Sequence, residues 1–98
     1  MNATRASAVV VVVLASIATA FAASEPPAGA ASCSGCHPPN AGVQSPVPPL
    51  AGKNATEIVA QMQAFRAGQR PATVMDRIAK GFSDAEVQAI AAWYAEQH

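Results

Sequence analysis

The 98-residue sequence predicts an all-α single domain of short helices and long loops. Three observations carry this. No segment alternates apolar and polar residues with the two-residue period of a strand. Residues 55–67 and 84–96 repeat apolar side chains at helical spacing behind recognisable caps. Residues 38–52 hold five prolines and two glycines, a density no helix survives, because proline fixes φ and lacks an N–H. There is no internal repeat, and the length allows one domain.

From the N-terminus, residues 1–22 read as a secretory signal peptide. Arg5 supplies a positively charged start, residues 8–21 are almost wholly apolar, and Ala20-Phe21-Ala22 fits the A-x-A cleavage pattern. The apolar run is short of the roughly 20 residues of a membrane span, so cleavage is expected rather than a permanent anchor, with no stable membrane insertion afterwards. Residues 23–98 then form the mature domain, with five Lys/Arg against six Asp/Glu. That balance gives no global basic signal for nucleic acid. A chain so short buries a modest core and needs a staple. Its two cysteines stand three residues apart, so a disulfide between them would constrain little of the unfolded chain.

Residues 23–29 are a Pro/Ala-rich lead-in, and residues 28–36 could form a short helix rich in small side chains. The proline-rich stretch 38–52 is a long irregular loop, and loops of that length in a small domain are usually functional. Asn54 reads as an N-cap with Glu57 at the capping-box position. Ile58, Val59, Met62 and Phe65 follow at helical spacing, and Gly68 stops the helix. Residues 71–75 are irregular, residues 76–80 make one helical turn closed by Gly81, and Ser83 with Glu86 forms another capping box. Val87, Ile90, Ala91 and Tyr94 stripe the last helix.

The reactive cluster is Cys33-Ser34-Gly35-Cys36-His37, the C-x-x-C-H pattern of c-type haem attachment. Two thiols at this spacing can add to the two vinyl groups on one porphyrin edge, and the next residue carries an imidazole beneath the ring. Other readings fit less well. A thioredoxin-like C-x-x-C belongs with alternating strands and helices; a structural zinc site needs four ligands, and beyond these three the chain offers only His98, at its terminus. One covalently attached haem is therefore the expected cofactor, and it would supply the staple. The sixth iron ligand is Met75 or Met62. Met62 falls in register with Ile58 and Phe65, as a core methionine would. Met75 ends the irregular run Pro71-Ala72-Thr73-Val74-Met75, where the backbone can offer a sulfur to iron, and local context favours it. The other ring nitrogen of a ligating histidine needs an acceptor. A carbonyl in residues 48–52 could serve, with Leu50 covering the ring; equally, that segment could be a stiff connector.

Cys33 to His37, Pro48-x-Leu50-x-Gly52 and a methionine loop before an aromatic-bearing final helix resemble class I cytochromes c over the whole mature chain. The resemblance implies that Pro48 gives its carbonyl to His37. It also implies that Gly29 or Ala30 meets Tyr94 where the first and last helices cross, with Trp93 alongside. Residues 50–53, 61–75 and 77–84 are similar to the cytochrome subunit of flavocytochrome c sulfide dehydrogenase and to related small monohaem cytochromes. That similarity implies Met75 as axial ligand and a flavoprotein partner. The best-known subunits carry two haems; this chain has one C-x-x-C-H and room for one domain.

The expected function is one-electron transfer in the periplasm. With His37 and Met75 both on iron, no coordination site stays open for a substrate, so the chain is not itself an enzyme. Sulfur chemistry would belong to a redox protein partner such as a sulfide-oxidising flavoprotein. The alternatives are a free soluble carrier or a ligand-binding haem sensor. Residues 66–80 carry a local balance of +3 and residues 81–98 one of −3, a polarity that could orient docking.

Overall fold

Four helices form in the computed structural model, which describes residues 25–98: α1 (Ala30–Cys33), α2 (Ala55–Arg66), α3 (Met75–Ala79) and α4 (Asp84–Ala95). The signal-peptide reading of residues 1–22 lies outside the described residues. Among the described residues there is no strand, and no helix is long and apolar enough to cross a membrane. The expected all-α architecture holds.

The first helix is shorter than residues 28–36. Gly29 has φ +87°, the left-handed region that glycine tolerates, so helical geometry begins only at Ala30. At the other end the Cys33 carbonyl accepts from the N–H groups of Cys36 (3.2 Å) and His37 (2.9 Å) before Pro38 and Pro39 stop the coil. The bond from His37 spans four residues, which puts Cys33 and His37 on one side of this turn.

Asn54 caps α2 by accepting from the Thr56 N–H at 2.9 Å. Glu57 does not complete a capping box; its carboxylate accepts instead from Gln61 Nε2, one turn on, at 3.3 Å. The C-terminus closes as a Schellman motif. Gly68, at φ +71°, donates to the Phe65 carbonyl, and Gln69 donates to that of Ala64.

The last helix follows its signals. Ser83 accepts from the Glu86 N–H at 3.2 Å, while the Ser83 N–H donates to Glu86 Oε1 at 3.0 Å, a reciprocal capping box. Its Val87, Ile90, Ala91 and Tyr94 are buried. Ala30, Ile58, Ile90, Ala91 and Tyr94 form the core cluster, with Leu50, Val59, Phe82 and Trp93 packed against it. Tyr94 Oη donates to the Ala30 carbonyl at 2.6 Å, tying the two ends of the domain together. The Trp93 ring lies edge-on to Tyr94, centroids 4.9 Å apart.

α2 packs against both α3 and α4. Arg66 fixes that corner: its guanidinium donates to the carbonyls of Phe82 (2.7 Å) and Ala79 (3.5 Å) and pairs with Asp84. The sequence-level docking polarity counted Arg66 as a free positive charge and Asp84 as a free negative one. Their pairing takes one charge from each segment and weakens that polarity.

Candidate functional site

The site starts from the turn that ends α1. His37 Nδ1 lies 2.6 Å from the Pro48 carbonyl oxygen, across eleven residues of loop. A carbonyl can only accept, so His37 donates through Nδ1–H, which fixes the tautomer and leaves the Nε2 lone pair free for a metal. The loop that presents Pro48 is anchored twice. At its far end Gly52 turns at φ +74° and donates to the Tyr94 carbonyl at 3.0 Å, and Ala51 is buried beneath. Pro48 and Pro49 restrict the backbone between these anchors.

Beside His37 opens a cavity of about 500 Å³ whose lining is mainly apolar. Cys33, Cys36 and His37 contribute from the end of α1, and Val47, Pro48 and Leu50 from the loop. Ile58, Met62 and Phe65 come from α2, Val74, Met75 and Ile78 from the approach to α3 and α3 itself, and Val87 and Ile90 from α4. Both cysteines are free thiols; Cys33 is half-buried and Cys36 exposed. Burial pushes the Cys33 thiol above its ordinary pKa, which keeps it protonated at neutral pH. Among the described residues no three His, Cys, Asp or Glu side chains gather as a tetrahedral zinc site requires.

The two candidate methionines both reach this cavity. Met75 does not lie in an irregular stretch: it is the first residue of α3, because Val74 caps the helix and its carbonyl accepts from Arg77 (3.0 Å) and Ile78 (3.1 Å). Met62 sits in mid-helix as expected but is half-buried and borders the cavity, not sealed in the core. The contrast of loop with helix therefore does not separate them.

The donor set fits a haem: an imidazole held in one tautomer, two thiols a turn of backbone apart, two thioethers, and a space walled by aliphatic and aromatic groups. Cys33, Cys36 and His37 would hold it at one wall and a methionine sulfur would complete the iron. The sequence reading did not single out Phe65, Arg70, Phe82 or Ile90 as cavity residues. The helical stripes gave Phe65 and Ile90 a local role and gave Arg70 and Phe82 none; only the packing of α2 on α3 and α4 brings these side chains to a common space.

Comparison with known proteins gives a consistent picture. The chain is 45% identical over 67 residues to the thiosulfate dehydrogenase electron acceptor of Stutzerimonas stutzeri, covering 64% of this chain and 31% of that protein. It is 36% identical over 63 residues to the cytochrome subunit of sulfide dehydrogenase of Chlorobaculum tepidum, covering 64% and 57%. Over 70 residues it is 36% identical to cytochrome c-554(548) of Halomonas halodenitrificans, covering 67% and 84%. The chain thus spans about a third of the length of the first of these relatives and over half of the second. Residues 28–93, which include α1 to α3 and most of α4, match the family Cytochrome C oxidase, cbb3-type, subunit III. The chain belongs to this family of haem-binding cytochrome c domains.

Proposed function

We propose that the chain is a periplasmic monohaem c-type cytochrome that carries single electrons for a redox enzyme. In this reading residues 1–22 are a cleaved export signal and residues 23–98 the cytochrome domain. Cys33 and Cys36 bind the haem covalently, and His37 and Met75 ligate its iron. The observation that carries the proposal is the His37 Nδ1–H bond to the Pro48 carbonyl beside the two free thiols, all opening on one apolar cavity.

A haem bound there supplies a one-electron ferric–ferrous couple. The chain's part is to hold and insulate it. The Pro48 carbonyl keeps the His37 ring in the tautomer that offers Nε2 and, by accepting the hydrogen bond from Nδ1–H, raises the basicity of the imidazole. Leu50, Ile58, Phe65 and Ile90 exclude water, so little solvent needs to reorganise when charge changes. Met75 is preferred over Met62 on the resemblance of residues 61–75 to cytochromes in which the equivalent methionine is an iron ligand.

With His37 and Met75 on the iron, no coordination site would stay open for a substrate, so the chain would pass electrons and leave bond-making to a partner. The names of the relatives, an electron acceptor of thiosulfate dehydrogenase and a cytochrome subunit of sulfide dehydrogenase, support a dehydrogenase of reduced sulfur compounds as that partner. A flavoprotein subunit is one form it takes; a free carrier is the other, and co-purification with size exclusion separates them. The central test is an optical spectrum and mass measurement of the exported protein. The expected result is a chain starting at Ala23 with one thioether-bound haem; a mature mass without haem overturns the proposal.

A further inference from the structure

The cavity has two ends, and its charges are divided between them. Lys53 and Arg70 are the only cationic side chains of its wall, and no carboxylate lines it. These two residues flank α2, whose 12 residues span roughly 18 Å. Lys53 belongs to the attachment end. It follows Gly52, which donates to the carbonyl of Tyr94, and the Tyr94 hydroxyl bonds Ala30, three residues before Cys33. Arg70 belongs to the opposite end. It also lines a second, more open pocket of about 470 Å³ together with Phe65, Thr73 and Met75.

The chemistry of the cofactor is divided in the same way. The vinyl groups that take the two thiols stand on adjacent pyrroles, and the two propionates stand on the other pair. Thiols at one end of the cavity therefore send the carboxylates toward the other. Arg70 is prepared for an anion. Its guanidinium carbon sits 4.9 Å from the centroid of the Phe65 ring, which orients the planar fork without using any of its N–H donors. Among the described residues the only ion pair is Arg66 with Asp84, so none of their carboxylates neutralises Arg70. It is exposed at the rim, where a carboxylate stays partly hydrated and bidentate pairing is geometrically favourable.

We propose that Arg70 binds a haem propionate, and so sets both the seating of the cofactor and the electrostatic potential at its iron. This rests on the haem reading above. Arg70 is a positioning residue: its cation neutralises the propionate, and the iron then experiences less negative charge. Losing that cation favours the ferric state and lowers the reduction potential.

The test uses holoprotein with haem attached, in four forms: wild type, Arg70→Gln, Arg70→Lys and Arg77→Gln. Arg77→Gln removes the same charge from an exposed position on α3 outside the cavity wall. Spectroelectrochemical titration at fixed pH and ionic strength should give a clearly lower midpoint for Arg70→Gln, substantial recovery in Arg70→Lys, and a value near wild type for Arg77→Gln. Equal shifts in Arg70→Gln and Arg77→Gln, or no shift in Arg70→Gln with normal spectra, overturn the proposal. Haem content separates this from failure of the haem reading itself: if wild type carries no haem the parent proposal falls, whereas intact haem with an unmoved midpoint sinks Arg70 alone. If Arg70→Gln does not load haem, loading restored in Arg70→Lys and normal in Arg77→Gln supports the proposal, and loading still absent from Arg70→Lys, or equally lost in Arg77→Gln, counts against it.

Discussion

His37 shows how much a single position owes to its neighbours. The motif Cys33-x-x-Cys36-His37 is legible in the sequence because its spacing is the chemistry. The partner of His37 was less so: a carbonyl eleven residues away has no sequence signature, and only the resemblance pointed to Pro48 among residues 48–52. In the structure that contact is short, at 2.6 Å. The choice between Met62 and Met75 was less legible still, since both reach the cavity and a side chain's reach depends on packing that periodicity does not encode. Spectroscopy decides it. With Met75 on iron, Met75→Ala should abolish the weak sulfur–iron charge-transfer band of the oxidised protein, and Met62→Ala should keep it while costing up to about 2 kcal/mol of stability as a half-buried side chain. The reverse pattern reassigns the ligand.

At the scale of elements, the caps were readable and the corners were not. Ser83, Glu86 and Gly68 announce helix ends by local chemistry, and α2 and α4 fall within a residue of the expected bounds. Gly29 is different, because its role is set by residues more than fifty positions away. A Cβ there would stand 2.7 Å from Phe82 Cε1, and the backbone is left-handed as well. At Gly68 the backbone is also left-handed, but nothing lies within 4 Å. Gly68→Ala should therefore cost only the left-handed penalty of about 1–2 kcal/mol, and Gly29→Ala more, through displacement of Phe82. Equal denaturant midpoints for the two would show that Phe82 yields freely. Arg66 makes a parallel case. Asp84 is 70% exposed, so Asp84→Asn should cost no more than about 0.5 kcal/mol. Arg66→Ala, which also strips the Phe82 and Ala79 carbonyls of their donor, should cost about 2 kcal/mol. Similar losses in the two variants would make the ion pair, not the carbonyl bonds, the fastening.

For the whole molecule the question is what closes a domain with so thin a core. Tyr94 is the only large side chain that is fully buried among the described residues, and its bond to Ala30 joins residues 64 positions apart. Many of the remaining apolar side chains, Leu50, Met62, Phe65 and Ile78 among them, line the cavity, which is why the sequence, read for helices alone, leaves the tertiary structure underdetermined and why a bound cofactor is the staple such a domain needs. The Tyr94 bond gives the closure a pH signature. Burial pushes the Tyr94 phenol above its ordinary pKa, so the folded protein keeps a proton that the unfolded chain releases. The corresponding stability is fully present below the unfolded value near pH 10 and is lost as pH rises through the higher folded value. Tyr94→Phe lacks both the titration and the bond to Ala30. It should be less stable at neutral pH by about 1–3 kcal/mol, because the buried Ala30 carbonyl loses its donor. The gap should then narrow above pH 10, where wild type alone gives up the Tyr94 contribution. Lysines and other alkaline-titrating groups are common to both proteins and cancel in the difference. Denaturant titrations of haem-loaded protein at pH 7, 9, 10 and 11 measure it, and a gap that stays constant across that range would show that the Tyr94 proton does not contribute to closing the domain.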